Sequence, residues 1–155
     1  MSIEFAPGPT SLDRLETALN RMVQKHGFIR VDRNPGHFSA GLAVLLLTDD
    51  PQRNLEVLDA CVILPEALKG LGDAIVRLVA GPESAPALMQ QYAIARAPAV
   101  VFLRDGNYVG SLNGIRDWQA YRDEIARLST APTTARPIPI IPIPVRSSGP
   151  SGACA

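Results

Sequence analysis

Residues 97–112 constrain this chain more than any other stretch: Ala97-Pro98, the apolar run Ala-Val-Val-Phe-Leu over 99–103, the tetrapeptide Arg104-Asp-Gly-Asn107, and a second strand-like run over 108–112. Asp105-Gly106 supplies the positive backbone angles of a two-residue hairpin turn, so the two strands must be antiparallel. Upstream, Leu42-Ala-Val-Leu-Leu-Leu47 is apolar throughout and bounded by Gly41 and Thr48-Asp-Asp-Pro51. A continuous run of that length suits a central strand covered on both faces rather than a half-solvated one. A chain with both features predicts an α/β fold whose sheet is mixed and ends in an antiparallel hairpin.

The helices follow from spacing and caps. Thr10 with Asp13 three residues on has the form of a capping box, and Leu12, Leu15, Leu19, Met22 and Val23 fall on one helical face before Gly27 ends it. Residues 28–31 read as a short strand and 32–37 as a turn-rich connection. A second helix is predicted over 59–70, with Asp59 as N-cap, Val62, Leu64 and Leu68 available for burial, and Pro65 tightening or kinking it. Residues 74–80 read as the next strand, and Pro82 opens a helix that includes Leu88, Gln91, Tyr92 and Ile94. A closing helix over 116–128 sets Trp118, Tyr121, Ile125 and Leu128 at helical spacing. Strands alternating with helices, then a hairpin and a last helix, imply a sheet between helical layers.

Length and charge bound the function. Residues 1–129 form one domain of ordinary size, and 130–155 a proline-rich tail whose composition is that of an extended or unstructured segment. The chain carries 15 acidic and 15 basic residues, so no uniform field draws it to nucleic acid or to an acidic membrane. The tail holds Arg136 and Arg146 and no acid, leaving the domain slightly acidic. No run has signal-peptide or membrane-spanning character, which predicts a cytoplasmic protein without membrane insertion. Two cysteines make no disulfide framework, in accord with a reducing compartment.

Few residues qualify for catalysis. Cys61 stands alone on an apolar helix face and Cys154 near the end of the tail, so neither has the resolving thiol that redox exchange uses. His26 and His37 lack spaced partners for a metal site or a triad. Gly70-Leu-Gly72 has neither the lysine nor the third glycine of a phosphate loop. No metal or other cofactor is expected. The acidic group Asp49, Asp50, Glu56 and Asp59 follows the central strand, where open α/β sheets bind ligands. Two readings stand side by side: Asp50 and Asp59 as helix caps in a solvated loop, or the group as a negative patch for a basic extended peptide. The Ala97-Pro98 junction before such a hairpin resembles that of a thioredoxin-like sheet, where the proline is usually cis, a minority state that marks tight local geometry. This would turn the backbone of Ala97 toward the same end of the sheet, and free main-chain groups there would suit strand addition by a peptide. Alternatively Pro98 merely begins the strand.

Leu46-Leu-Thr-Asp-Asp-Pro-Gln-Arg53, Glu56-Val-Leu-Asp59, Arg96-Ala-Pro-Ala-Val-Val-Phe102 and Gly106-Asn-Tyr-Val-Gly-Ser-Leu-Asn-Gly-Ile-Arg-Asp-Trp118 together resemble the HyaE/HupG/HoxO family of [NiFe]-hydrogenase expression proteins, over roughly 12–128. The Asn-Gly-Ile-x-x-Trp element, 113–118, is the most specific part. The resemblance implies a thioredoxin-like three-layer sandwich without the Cys-x-x-Cys pair, in which Val57 and Ala60 stand in the cysteine slots and Pro65 matches the usual helix kink. It also implies an accessory chaperone for the hydrogenase small-subunit precursor, a subunit with iron–sulfur clusters and a twin-arginine signal peptide, with other hydrogenase accessory proteins as further partners. Adjacent guanidinium groups are natural partners of carboxylates, so Asp49, Asp50, Glu56, Asp59, Ala97 and Pro98 become the candidate peptide-binding residues. Two other readings remain: a scaffold acting through its Ile-Pro tail, which recruits a partner or covers the groove in cis, and a thiol enzyme using Cys61 alone.

Overall fold

The computed structural model describes residues 8–32 and 40–134. His37, Cys154 and the Ile-Pro run lie outside the described residues. Helix α1, Ser11–His26, opens on the anticipated capping box: the Thr10 hydroxyl accepts from the Asp13 N–H and the Asp13 carboxylate from the Thr10 N–H. It ends at Gly27, whose φ of 72° is a left-handed conformation with little cost for glycine. Then follow β1 (Ile29–Arg30), β2 (Leu42–Leu47), α2 (Glu56–Leu68) with a 3-10 turn at Lys69–Leu71, β3 (Val76–Ala80), α3 (Ala85–Gln91), β4 (Ala99–Arg104), β5 (Asn107–Asn113) and α4 (Trp118–Thr130).

The five strands lie in the order β1-β3-β2-β4-β5. Strand β2 runs parallel to β3 and antiparallel to β4, and the β4–β5 hairpin turns at Asp105 and Gly106, both with positive φ (51° and 80°). The Asp105 carboxylate accepts from the Gly41 N–H, fastening the turn to the approach of β2.

Period-two alternation divides the core. Val44, Leu46, Val100 and Phe102 face Leu15, Leu19, Met22, Val57, Leu64, Tyr121 and Ile125 from α1, α2 and α4. Ala43, Leu45, Leu47, Val101 and Leu103 face the opposite layer, where α3 contributes Leu88 and the residue after it, Tyr92, closes over the sheet. Because both faces are covered, the uninterrupted apolarity of 42–47 is what the position requires.

Several local expectations differ from the structure. Helix α2 begins at Glu56, so Asp59 lies within its first turn instead of capping it. Val62 is 60% exposed because α2 turns Val57, Ala60, Cys61, Leu64 and Leu68 inward, and Val62 falls on the opposite side. Trp118 is likewise half exposed at the first position of α4, its ring covered instead by the Arg122 guanidinium 5.7 Å from the centroid. On α1 the buried stripe is confined to Leu15, Leu19 and Met22; Leu12, in the first turn, lines a surface cleft with Pro82 and Glu83, and Val23 is also exposed. The third helix starts at Ala85 rather than at Pro82.

Gly110 lies directly under α4: a Cβ there would sit 2.5 Å from Cδ2 of buried Leu128. Gly110→Ala is therefore expected to cost about 1–3 kcal/mol in urea unfolding, the range for overpacking a filled core. The same change made in a Leu128→Ala background should cost less, because the opposing methyl is gone.

Candidate functional site

Three segments converge where β2 ends: the loop 48–55, the Ala97-Pro98 junction, and the turn after β5. Their closeness follows from register, since Leu47 pairs with Ala99 and Ala99 with Asn113. Thr48, the residue after β2, is still buried and its hydroxyl donates to the Ala80 carbonyl; the half-buried Asp49 and Asp50 follow.

The four carboxylates are not equivalent. Asp49 accepts from the Asp50 N–H and from the Arg53 guanidinium at 2.9 Å. Asp50 accepts from the Gln52 N–H and the Ser11 hydroxyl, and these bonds hold its carboxyl below the ordinary range. Both acids are thus engaged within the chain, Asp50 as the closure of the 51–53 turn and its link to α1. Glu56 and Asp59 project from the first turn of α2, exposed, and neither has an ion pair among the described residues. Each also opposes the positive end of the helix dipole, a role worth about 0.3–1 kcal/mol at an exposed site. The Glu56 carboxylate reaches the turn after β5, with Oε2 3.8 Å from a Cβ built on Gly114.

The Ala97–Pro98 peptide bond is cis. Its carbonyl groups are not free, contrary to the expectation of open main-chain groups. Asn54 Nδ2 donates to the Ala97 carbonyl at 3.0 Å, and the Gly114 N–H donates to the Pro98 carbonyl at 2.8 Å. Ala97 itself is 4% exposed. Asn54 also accepts from the Glu56 N–H at 3.0 Å, so one side chain caps α2 and closes the proline loop. Sequence reasoning overlooked Asn54. The available signal was an asparagine two residues ahead of a helical glutamate, the spacing of an Asx turn.

Exposed apolar side chains occur at the same helix ends. Leu55, 73% exposed at the start of α2, and Trp118 at the start of α4 stand at the N-termini of neighbouring helices that pack on one layer of the sheet. On the other side of the loop a cleft of about 370 Å³ has Asp49 and Arg53 at its rim and Met89 and Ile94 in its walls.

The two positions that the family resemblance sets in the place of a redox pair carry side chains without redox chemistry. Val57 and Ala60 are both buried, and burial pushes the neighbouring Cys61 thiol up to about 12, leaving it protonated near neutrality. No group of three or more metal-ligating side chains occurs among the described residues, and no described helix is long and apolar enough to cross a membrane.

The family model described as "Hydrogenase-1 expression protein HyaE" matches residues 18–121. The chain belongs to the HyaE family. Among relatives of this HyaE-family chain, the hydrogenase expression/formation protein HoxO of Cupriavidus necator is 36% identical over 97% of the chain and 94% of its own length. HupG of Bradyrhizobium diazoefficiens is 31% identical over 70% of the chain and 78% of its own length. These similarities connect the chain with hydrogenase expression and formation. Among solved structures, the zinc-bound form of human ERp44 superposes with a TM-score of 0.51 at 19% identity, over 64% of this chain and 29% of that one, a likeness of fold alone. A thioredoxin mutant from Halobacterium salinarum aligns with a TM-score of 0.47. The HyaE-family domain is thus a thioredoxin-like three-layer sandwich with a mixed sheet and an antiparallel C-terminal hairpin.

Two expectations follow. Native Cys61 should react with a thiol reagent at pH 7–8 only as fast as the domain opens, and rapid labelling of folded protein would return the single-thiol enzyme to consideration. Asn54→Ala should destabilise the domain by about 1–3 kcal/mol, the cost of leaving a buried acceptor unpaired. Asn54→Asp keeps the cap on Glu56 but loses the donor to Ala97, so its unfolding midpoint should show how much of that loss the carbonyl contributes.

Proposed function

We propose that this HyaE-family protein is a non-catalytic, cytoplasmic accessory chaperone in [NiFe]-hydrogenase maturation. It binds the small-subunit precursor through the basic region of its twin-arginine signal peptide, and so assists or protects iron–sulfur cluster assembly before export. The observation that carries the reading is the pair Glu56 and Asp59, solvent-facing and without ion-pair partners among the described residues, next in sequence to exposed Leu55, with half-exposed Trp118 at the start of the neighbouring helix α4. Carboxylates next to apolar anchors match a peptide in which arginines adjoin apolar residues: guanidinium groups take charge-assisted hydrogen bonds and the apolar part covers leucine and tryptophan.

The contacts differ from strand addition at the proline loop. Asn54 and Gly114 occupy the Ala97 and Pro98 carbonyls, so recognition runs through side chains. Asp49 and Asp50, already bonded to Arg53, Gln52 and Ser11, contribute field rather than direct contacts. The buried Cys61 and the Val57 and Ala60 slots favour a binding role over thiol exchange.

The test is co-purification of tagged protein with the small-subunit precursor, with and without its signal peptide, at low and high salt. Capture should require the signal peptide and weaken as salt screens the charges. Glu56→Lys with Asp59→Lys should lower affinity about tenfold or more while the fold persists, since each pair both loses attraction and gains repulsion. Capture without the signal peptide would move the contact to the mature subunit, and unchanged binding by the double variant would remove the acidic pair from the mechanism.

A further inference from the structure

Helix α2 leads from an acidic place to a basic one. Glu56 and Asp59 occupy its first turn, and 13 residues later, about 20 Å along the axis, it runs into Lys69 of the 3-10 turn. There a cleft of about 340 Å³ opens between the end of α1, the end of α2 and β3, lined by Lys25, His26, Pro65, Lys69, Asp73 and Arg77. Register puts the two places at opposite ends of the sheet: Arg77 pairs with Val44, in the first half of β2, whereas the acidic loop follows Leu47.

Part of the basic charge serves the helices. Lys25 and His26 lie in the last turn of α1 and Lys69 follows α2, where cations oppose the negative end of the dipole; Lys69 is also paired with Glu66 at 2.9 Å. Arg77 has no such account. It stands half-buried on β3, and its guanidinium donates to the Gly72 carbonyl at 2.9 Å and to the Ile75 carbonyl at 3.4 Å, with no carboxylate partner among the described residues. These bonds hold the plane of the fork and occupy two carbonyls that would otherwise repel an anion, while the other N–H donors stay unused among the described residues. Lys25 also lacks an ion pair among the described residues, and Asp73 is the one carboxylate of the lining. Three permanent cations, Lys25, Lys69 and Arg77, therefore meet a single acid, in a domain whose overall balance is slightly acidic.

We infer that this cleft is a docking surface for an acidic segment of a protein partner, whose neighbouring Asp or Glu side chains take the Arg77 fork and the Lys25 and Lys69 ammonium groups. Arg77 offers one carboxylate a pre-oriented bidentate partner, and the exposed lysines, one from each helix end, hold others as point charges. The cleft admits one or two side chains and lies near the lower limit of the ~300–1,000 Å³ typical of small-ligand pockets, which favours a protein segment over a free cofactor. Charge complementarity sets the sign of the partner and draws it to this face. The inference does not rest on the chaperone reading: the two surfaces stand at opposite ends of α2 and carry opposite charge, so a basic and an acidic ligand occupy the domain without competing.

The test titrates a short Glu-rich peptide into the full chain and follows amide shifts by NMR, with a Gly-Ser peptide and inorganic phosphate at equal ionic strength as controls. Saturable shifts should gather at Lys25, His26, Gly27 and Arg77, leave Glu56 and Asp59 unmoved, and demand more peptide as salt rises. Lys25→Glu with Lys69→Glu should weaken binding about tenfold or more, since repulsion replaces attraction at two points. Both lysines are exposed, so the fold persists, and unchanged β4 amides report it. Arg77→Gln, which keeps an N–H donor for the loop carbonyls, should weaken binding to a similar degree. Absence of saturable shifts, shifts indifferent to the lysine reversal, or equal shifts from the Gly-Ser peptide would overturn the inference. Equal shifts from inorganic phosphate would overturn it as well, since the cleft would then be a site for small anions.

Discussion

Strand β2 is occupied on four sides, and the arrangement of the domain follows from that. Its two edges are bonded to β3 and β4, and its two faces lie under different helical layers, so Ala43 through Leu47 are at most 1% exposed. Nothing polar can appear until the strand ends. Thr48 marks the transition: it is still buried, with its hydroxyl satisfied by the Ala80 carbonyl, and the first charges follow at once in Asp49 and Asp50. The candidate site is therefore located by the core. It lies where the most deeply enclosed segment first returns to water, the crevice position that open α/β sheets offer to ligands.

The parts of the fold legible in the sequence are those set by short-range rules. The capping box at Thr10, the glycine stop at Gly27 and the Asp105-Gly106 turn each depend on residues only a few positions apart, and the two apolar strands declare themselves by lacking polar alternation. The start of α2 was not legible in this way. Asp59 is a favoured cap residue, yet the cap is made from further upstream by Asn54, with Leu55 already in helical conformation at φ −66° and ψ −23°. Val62 and Trp118 show a second limit: an apolar side chain at helical spacing has the same sequence signature whether its face meets the sheet or solvent.

Within the candidate site, the acidic cluster was legible as composition but not as four separate environments. Which carboxylates are already bonded depends on Ser11, from the first helix, and on loop geometry that brings Arg53 back to Asp49. The closure of the proline loop depends on a contact between Asn54 and Ala97, 43 positions apart, which no local pattern encodes. The family resemblance supplied what spacing alone did not, namely that Val57 and Ala60 stand where a redox pair would be. The geometry adds that both are enclosed, so the first turn of α2 and the start of α4 turn Leu55, Glu56, Asp59 and Trp118, not these two positions, toward solvent.

Asn54 joins the first turn of α2 to the loop before β4, and it does so with the two ends of one amide. Rotating that amide away breaks both bonds together, so the helix start and the proline loop are coupled through this side chain. Opening of the proline loop therefore loosens the face bearing Leu55, Glu56 and Asp59 as well. A side chain that fixes the backbone of both segments reduces the main-chain freedom left to be lost when either is bound.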